Sequence, residues 1–277
     1  MTWSRISHIL RKDPQLQQIY SMNLKQLSAF LPSTFKKPQD FYFDLHVQTP
    51  ADISNSFYQQ SIRPVTFFDP DYPLVLKQIY DPPWVLYTRG DTSLLQSSTN
   101  LAVVGTRDPT RLGERSIHAL LPPLINEGTI IVSGLAKGID RLAHIEAIKQ
   151  KGKTIAVIGS GFDFVYPKVN LSLYEHLVTN HLVITEYPPF VPPQKWHFPA
   201  RNRIISGLSR GVLVVEAAEK SGSLITADQA LEQGRDVFAV PGPIFSSVSR
   251  GTNHLIQQGA KLVRDANDIK EEWGMDI

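Results

Sequence analysis

Short runs of β-branched and other apolar residues recur along the chain from residue 101 onward. They occupy residues 101–106, 129–134, 154–161, 181–187, 211–217 and 236–242, with a weaker run at 260–263. Stretches with apolar residues at helical spacing lie between them, for example at 115–128, 140–152 and 223–234. Nearly continuous apolar strands that alternate with helices are typical of a parallel sheet covered on both faces. The pattern therefore predicts a doubly wound α/β domain with a mostly parallel sheet.

The first 63 residues have a different pattern. They contain no glycine and many Gln, Ser and Lys residues. Two sets of apolar residues, Ile6, Ile9 and Leu10 and then Leu16, Ile19 and Tyr20, stand at helical spacing. We expect a small helical domain over residues 1–63, which could equally be a solvated appendage without a ligand of its own. Residues 64–91 are rich in proline, which excludes a long helix and predicts an extended segment. We expect this segment to pack on the α/β part of the second domain, which comprises residues 64–277.

The composition narrows the class of protein. Hydrophobic residues make up 42% of the chain and charged residues 19%, as in soluble globular proteins. The absence of cysteine excludes disulfides, thiolate metal sites and a cysteine nucleophile, and it suits a reducing compartment. No run approaches the roughly 18 apolar residues of a membrane span, and the start lacks a signal-peptide pattern. We expect a cytoplasmic protein with no membrane partner.

The distribution of charge is more informative than its sum. The 28 basic and 26 acidic residues nearly balance. However, no acidic residue lies between Glu186 and Glu216. The cations in that interval are Lys195, Arg201, Arg203 and Arg210. A basic segment within a nearly neutral protein indicates a local anion site.

Glycine-containing loops follow three of the predicted strands, near residues 105, 134 and 160. Ligands of doubly wound sheets bind beyond the carboxyl ends of the strands, and glycine lets backbone N–H groups approach a phosphate. Glycine after a strand is also a common packing feature, but the cations Arg107 and Lys137 beside these glycines favour an anion site. The candidate contacts in these loops are Gly105, Thr106, Arg107, Ser133, Gly134, Lys137 and Gly138.

The segment 188–210 combines cations with the aromatic residues Trp196 and Phe198. Proteins that bind single-stranded nucleic acid use cations along the backbone and aromatic faces against the bases. In the alternative interpretation the aromatic rings are core, and the arginines pair with Glu186 and Glu216. If Arg201 and Arg203 open a helix, they point in different directions, so that one binds ligand while the other stabilises the fold.

Other motifs carry weaker signals. Ser221 and Ser223 precede a predicted helix, where they form either a further anion cradle or a helix N-cap. Ser209 has the spacing of a nucleophile elbow but precedes its strand instead of following it. Asp140 and His144, four residues apart, would supply half of a metal site, and no further ligand stands at suitable spacing. We therefore expect no metal, and no catalytic set of residues is evident from spacing alone, although a fold can bring distant residues together.

Seven ordered blocks of sequence resemble the DNA processing protein A (DprA/Smf) family. They cover much of residues 64–265 and include GTR at 105–107, SGLAKGIDRLAH at 133–144, IAVIGSGFDFVYPKVN at 155–170, ITEYPP at 184–189, FPARNRIISGLS at 198–209, VVEAAEKSGSLITA at 214–227, and AVPG with GTNHLIQQGA further on. The resemblance implies an extended Rossmann-like domain, preceded by a small helical domain similar to the SAM-like domain of the family. The chain would be a short member without the winged-helix domain that many members carry.

The resemblance also implies a function and a set of contacts. Members bind and protect incoming single-stranded DNA during natural transformation, help to load the recombinase RecA, and usually form homodimers. The resemblance implies no catalytic residue, no catalytic activity and no cofactor. The family's main phosphate contact corresponds to Gly105, Thr106 and Arg107. Its remaining contacts correspond to Lys137, Lys168, Lys195, Phe198, Arg201 and Asn202.

Several expectations remain open. Leu255, Ile256 and Leu262 are candidates for self-association, although the same residues could be core. A nucleotide-processing enzyme related to phosphoribohydrolases is the main alternative function, with Glu186 and Glu216 as candidate carboxylates. Its characteristic PGGxGTxxE loop is incomplete at Pro241-Gly242-Pro243. A regulator that senses a mononucleotide in the same site is a third possibility.

Overall fold

The computed structural model describes residues 3–275. The chain divides into two compact units, Met1–Arg63 and Pro64–Ile277. Within the described residues, no helix is long and apolar enough to cross a membrane.

The first unit is helical. Its helices are α1 (Trp3–Lys12), α2 (Gln18–Ser21), α3 (Leu24–Phe30), α4 (Pro38–Val47) and α5 (Pro50–Gln59). Two helix starts carry reciprocal capping boxes, in which Asn23 pairs with Gln26 and Thr49 pairs with Asp52. The buried core of the unit consists of Ile9, Ile19, Leu27 and Leu31.

The second unit is built on one nine-stranded sheet with the order β1-β2-β6-β5-β4-β3-β7-β8-β9. The strands are β1 (Arg63–Thr66), β2 (Val85–Gly90), β3 (Asn100–Val104), β4 (Ile130–Ser133), β5 (Thr154–Val157), β6 (Leu182–Thr185), β7 (Gly211–Val214), β8 (Asp236–Ala239) and β9 (Lys261–Leu262). All neighbouring strands in the spatial order β6-β5-β4-β3-β7-β8-β9 are parallel, and β2 runs antiparallel to β6. Each of the seven apolar runs forms a strand, and the predicted mostly parallel α/β fold is confirmed. The proline-rich connector supplies β2 and most of the edge strand β1, with only a four-residue helix between them.

Helices cover both faces of the sheet. They are α6 (Leu74–Lys77), α7 (Arg111–Asn126), α8 (Ile139–Lys149), α9 (Leu171–Asn180), α10 (His197–Gly207), α11 (Gly222–Glu232), α12 (Arg250–Gln257) and α13 (Asn267–Trp273). Alternate residues of β3 belong to different core clusters: Ala102 and Val104 to the cluster with α10 and α11, and Leu101 and Val103 to the cluster with α7, α8 and α13. This two-residue period explains why the strands are apolar throughout.

The strand order reverses beside β3. The chain passes from β3 through α7 to β4 on one side, whereas β7 lies on the other side of β3 and is followed by α11 and β8. The helices that leave β3 and β7 therefore diverge onto opposite faces, and a crevice opens between the carboxyl ends of these two strands. Such switch points are the usual ligand sites of doubly wound sheets.

Candidate functional site

A cavity of about 740 Å³ lies at this switch point. The loop after β3, the start of α10 and the start of α11 form its walls. Its lining residues are Val104, Gly105, Thr106, Arg107, Asp108, Ala136, Asp140, Tyr166, Lys195, Phe198, Pro199, Arg201, Asn202, Ile205, Ala218, Lys220, Ser221, Gly222, Ser223, Ile225 and Thr226. The structure thus brings together nine of the sequence-predicted contacts, namely Gly105, Thr106, Arg107, Lys195, Phe198, Arg201, Asn202, Ser221 and Ser223.

The loop after β3 is held by its own backbone. The Thr106 N–H donates to the Glu216 carbonyl at 2.7 Å, and the Ile139 N–H donates to the Thr106 carbonyl at 3.1 Å. A Cβ at Gly105 would lie 2.7 Å from the Ile139 side chain, so only glycine fits there. The backbone is therefore fixed while Arg107 is exposed, and its side chain has no hydrogen bond or salt bridge to any residue in the range 3–275.

The start of α11 forms the facing wall. The Ser221 hydroxyl accepts from the Ser223 N–H at 3.3 Å, and the two hydroxyls lie 2.7 Å apart. Ser221 is therefore the helix N-cap, which is one of the two roles that the sequence left open. Lys220 precedes this cap, is exposed and lines the cavity. With Lys195 and Arg107 it gives the cavity three exposed cations from three separate loops.

An aromatic pair occupies another part of the wall. The rings of Phe198 and Tyr166 have centroids 5.7 Å apart and are tilted by 49°. A Cβ at Gly159 would lie 3.1 Å from the Phe198 ring, which shows how closely that ring packs on the loop after β5. Trp196 is 68% exposed but does not line the cavity. Of the two aromatic residues that the sequence singled out, Trp196 and Phe198, Phe198 is the one placed to contact a ligand there.

Arg201 lies beneath the cavity. It is only 6% exposed, and its guanidinium donates to the main-chain carbonyls of Gly134 and Val157 at the carboxyl ends of β4 and β5. Burial lowers the pKa of Arg201, while Asp140 acts in the opposite direction. Burial also raises the pKa of Asp140, opposed by Arg201 and by the N–H groups of Ala136 and Gly134. Arg201 thus fixes the loops around the cavity and offers little exposed charge of its own.

The neighbouring Arg203 stabilises the fold. Its guanidinium pairs with Glu186 at 2.7 Å and with Asp81 at 2.9 Å, and it does not line the cavity. Glu216, which the sequence offered as a partner of the arginines, instead accepts from the N–H and hydroxyl of Thr110. Both candidate carboxylates of a hydrolytic enzyme are therefore engaged with other protein groups.

The remaining predicted contacts lie outside the cavity lining. The buried Ser133 hydroxyl donates to the Val103 carbonyl at 2.6 Å, and the Gly134 N–H donates to Asp140 at 3.1 Å. Gly138 has a positive φ of 75° and packs against the backbone of Thr106 and Arg107. These three residues position the site. Lys137 and Lys168 are exposed in loops whose neighbours Ala136 and Tyr166 line the cavity.

The cavity lining includes an exposed aromatic residue and an exposed cation, Tyr166 and Lys220, that were not among the sequence-predicted contacts. Tyr166 lies two residues before Lys168, and Lys220 lies just before Ser221. Both stand within blocks of sequence that resemble the family, so the signal was present. Their side-chain directions depend on long-range packing, which spacing does not reveal.

Other sequence-predicted features have structural roles. His144 is fully buried and its Nδ1 lies 2.7 Å from the Thr154 hydroxyl, and burial lowers its pKa to about 3. Residues 3–275 contain no cluster of three metal-ligating side chains, so Asp140 and His144 gain no further ligand. Of the self-association candidates, Leu255 is core at 4% exposure, Ile256 packs against that core, and Leu262 is 38% exposed.

Comparison with known proteins identifies relatives over most of the chain. The family profile of DNA recombination-mediator protein A matches residues 63–274. The DNA processing protein DprA of Bacillus subtilis is 52% identical over 217 residues, which are 78% of this chain and 73% of that protein. DprA of Streptococcus pneumoniae is 49% identical over 223 residues, which are 80% of this chain and 78% of that protein.

Solved structures agree with these matches. The X-ray structure of DNA processing protein A from Streptococcus pneumoniae matches with a TM-score of 0.85 and 42% identity, over 100% of this chain and 94% of that chain. The structure of DNA processing protein A from Helicobacter pylori, described for its single-stranded DNA binding mode, matches with a TM-score of 0.69 and 32% identity. That match covers 76% of this chain and 95% of the Helicobacter chain.

Proposed function

The chain belongs to the DNA recombination-mediator protein A family, and we propose that it binds single-stranded DNA in the cavity at the β3–β7 switch point. The observation that carries this proposal is the composition of the cavity wall. Three exposed cations, Arg107, Lys195 and Lys220, surround the aromatic pair of Phe198 and Tyr166. The relative from Helicobacter pylori, described for single-stranded DNA binding, shares this fold.

The arrangement favours a single strand over a duplex. A base in a duplex is stacked on both faces and hydrogen-bonded at its edge, so it cannot stack on Phe198 without being extruded. The cations contact phosphates, which carry no sequence information. The expected ligand is therefore an unpaired strand of any sequence, with its phosphates near Arg107 and at least one base against the aromatic pair.

We propose binding without catalysis. Glu186 and Glu216 are the carboxylates that a nucleotide-hydrolysing enzyme would most readily use, but Arg203 and Thr110 occupy them. Neither Glu186 nor Glu216 lines the cavity that contains Arg107. Release of free base from a nucleoside monophosphate by the purified protein, abolished in Glu186→Gln or Glu216→Gln, would overturn this part of the proposal.

We also propose that the bound strand is transferred to the recombinase RecA, that the protein acts as a homodimer in natural transformation, and that it works in the cytoplasm. Membership in the family supports these statements.

The first test is a competition experiment in which unlabelled single strands and duplexes of one sequence displace a labelled single strand. The second measures RecA filament formation on protein-coated single strands, and the third measures the oligomeric state by sedimentation. Displacement by duplex as readily as by single strand would contradict the proposed ligand.

A further inference from the structure

A second cavity of about 340 Å³ opens at the carboxyl ends of β7 and β8, on the face of the sheet covered by α7. We propose that it is a second nucleotide site, which takes a further unit of the strand held in the first cavity. This inference rests on the proposed function for its choice of ligand. Its volume lies at the lower end of the roughly 300–1,000 Å³ of small-molecule sites.

One segment of the chain, from residue 104 to residue 120, contributes lining residues to both cavities. The contact between Thr110 and the Glu216 carboxylate stands between Asp108, which lines the first cavity, and Leu112, which lines the second. The same segment of chain therefore leads directly from one to the other. A strand that leaves the first cavity along this segment reaches the second without crossing the sheet.

Three arginines lie along that segment. Arg107 is in the loop, and Arg111 and Arg115 stand four residues apart on one face of α7. All three are exposed, and none has a hydrogen-bonded or ionic carboxylate partner within the described part of the chain. Arg111 is the first residue of α7, where a cation opposes the helix dipole, so helix stability does not explain its position.

Among the described residues, Arg115 is the lining cation of the second cavity without an ionic partner, and the lining also includes an apolar wall and the Glu216 carboxylate, which accepts from Thr110. The other lining arginine, Arg264, pairs with Asp268 at 3.0 Å. Leu112, Pro241 and Pro243 contribute apolar surface, and serine hydroxyls of residues 116, 246 and 249 add hydrogen-bonding groups. A nucleotide has the same combination: an anionic phosphate for Arg115, an apolar base face for the wall, and polar base edges for the hydroxyls.

The loop that closes this cavity is already ordered. The Gly242 N–H donates to the Asn253 side chain at 3.1 Å, and the Asn253 amide donates back to the Gly242 carbonyl at 3.0 Å. The Ala217 N–H donates to the Val248 carbonyl at 2.7 Å. Gly242 also packs against the Ser249 side chain so closely that a Cβ has no room. The cavity is therefore preformed, which reduces the ordering cost of binding.

The test measures affinity for oligothymidylates of increasing length, in wild type, Arg115→Gln and Leu112→Glu. Leu112 is 52% exposed, so a carboxylate there is tolerated by the fold and repels phosphate. We expect both variants to bind the shortest oligonucleotides like wild type and long ones roughly three- to tenfold more weakly, with a salt slope reduced by about 0.7. The matched control is Lys151→Gln. It removes an exposed cation just before β5, at the amino ends of the parallel strands, whereas both cavities lie at their carboxyl ends.

A second arm identifies the source of the nucleotide. It measures dTMP binding by calorimetry in an Arg107→Ala background, with and without Arg115→Gln. Binding of dTMP that Arg115→Gln abolishes, combined with an unchanged length dependence, would assign the second cavity to free nucleotides and overturn the continuous path. Unchanged affinities in both arms would overturn the site altogether. If wild type binds no oligonucleotide, the proposed function fails, and the dTMP arm alone decides whether the second cavity binds a nucleotide.

Discussion

The Arg203 guanidinium lies 2.7 Å from the Glu186 carboxylate, with the Arg203 side chain 12% exposed and the Glu186 side chain 17% exposed. Burial acts to lower the pKa of Arg203, but Glu186 and Asp81 raise it above its usual value. Arg201, two residues earlier, bonds to backbone carbonyls instead. The basic segment between Glu186 and Glu216 therefore contributes two arginines to the folded framework, while the exposed charge of the cavity comes mainly from Arg107, Lys195 and Lys220.

Replacing Arg203 should affect stability and leave DNA affinity unchanged. Arg203→Ala leaves a nearly buried carboxylate at Glu186 without its ionic partner, so we expect a loss of about 3 kcal/mol in the free energy of unfolding. Urea denaturation measures this loss, and titration of the folded variant with single-stranded DNA measures affinity. A variant of normal stability with weakened DNA binding would place Arg203 at the interface and contradict the structural role.

Phe198→Ala should weaken binding by a mechanism that salt does not influence. If the ring stacks on a base, its removal costs about 1–3 kcal/mol of binding free energy with little change in the salt slope. Trp196→Ala is the matched control, since this exposed ring lies two residues away and outside the cavity lining. Equal losses in the two variants would indicate a diffuse aromatic surface instead of a specific stacking position.

Gly138→Ala should displace the loop that carries Arg107. Gly138 has φ of 75°, and a Cβ there would collide with the backbone of Thr106 and Arg107. We expect a loss of stability of about 1–3 kcal/mol and reduced DNA affinity, although Gly138 does not line the cavity. Gly234→Ala provides the comparison, because Gly234 has φ of 68° and nothing lies within 4 Å of its added Cβ. That variant should lose stability alone, and an equal loss of DNA affinity there would argue against the positioning role.

The sequence was sufficient to predict the alternation of strands and helices, because both faces of the sheet are covered and each central strand is apolar throughout. It also located the loop with Arg107. It could not separate Arg201 from Arg203, since their partners lie far away along the chain, at Gly134 and Glu186 respectively. The strand β2 was hidden for a related reason, because its pairing with β6 is decided by tertiary contacts and the surrounding prolines mask any periodicity.

Acid should destabilise the protein through His144. The Thr154 hydroxyl donates to the Ile131 carbonyl, so it accepts from Nδ1–H of His144, and Nε2 is buried without a partner among the described residues. Burial lowers the pKa of this imidazole to about 3 from its usual 6.5. Between these values the unfolded chain binds a proton that the folded protein does not, so stability falls as pH decreases.

The contribution of His144 to this slope approaches about 1.4 kcal/mol per pH unit below the unfolded pKa. Denaturant unfolding of wild type and His144→Gln between pH 7 and pH 4.5 measures it. The variant should be less stable at pH 7 and should lose less stability as the pH decreases. Parallel pH profiles of the two proteins would show that His144 does not titrate as this environment requires.

In the proposed complex, exposed cations in the first cavity, Arg107 above all, hold the phosphates of a single strand. Fluorescence anisotropy of a labelled single-stranded oligonucleotide across a salt series, with duplex alongside, tests it directly for wild type, Arg107→Ala and the control Lys151→Gln. We expect wild type to prefer the single strand with a steep salt dependence, Arg107→Ala to bind more weakly with a slope reduced by about 0.7, and the control to match wild type. Absence of binding at low salt, or an Arg107→Ala variant that is folded and binds like wild type, would contradict single-strand binding in this cavity.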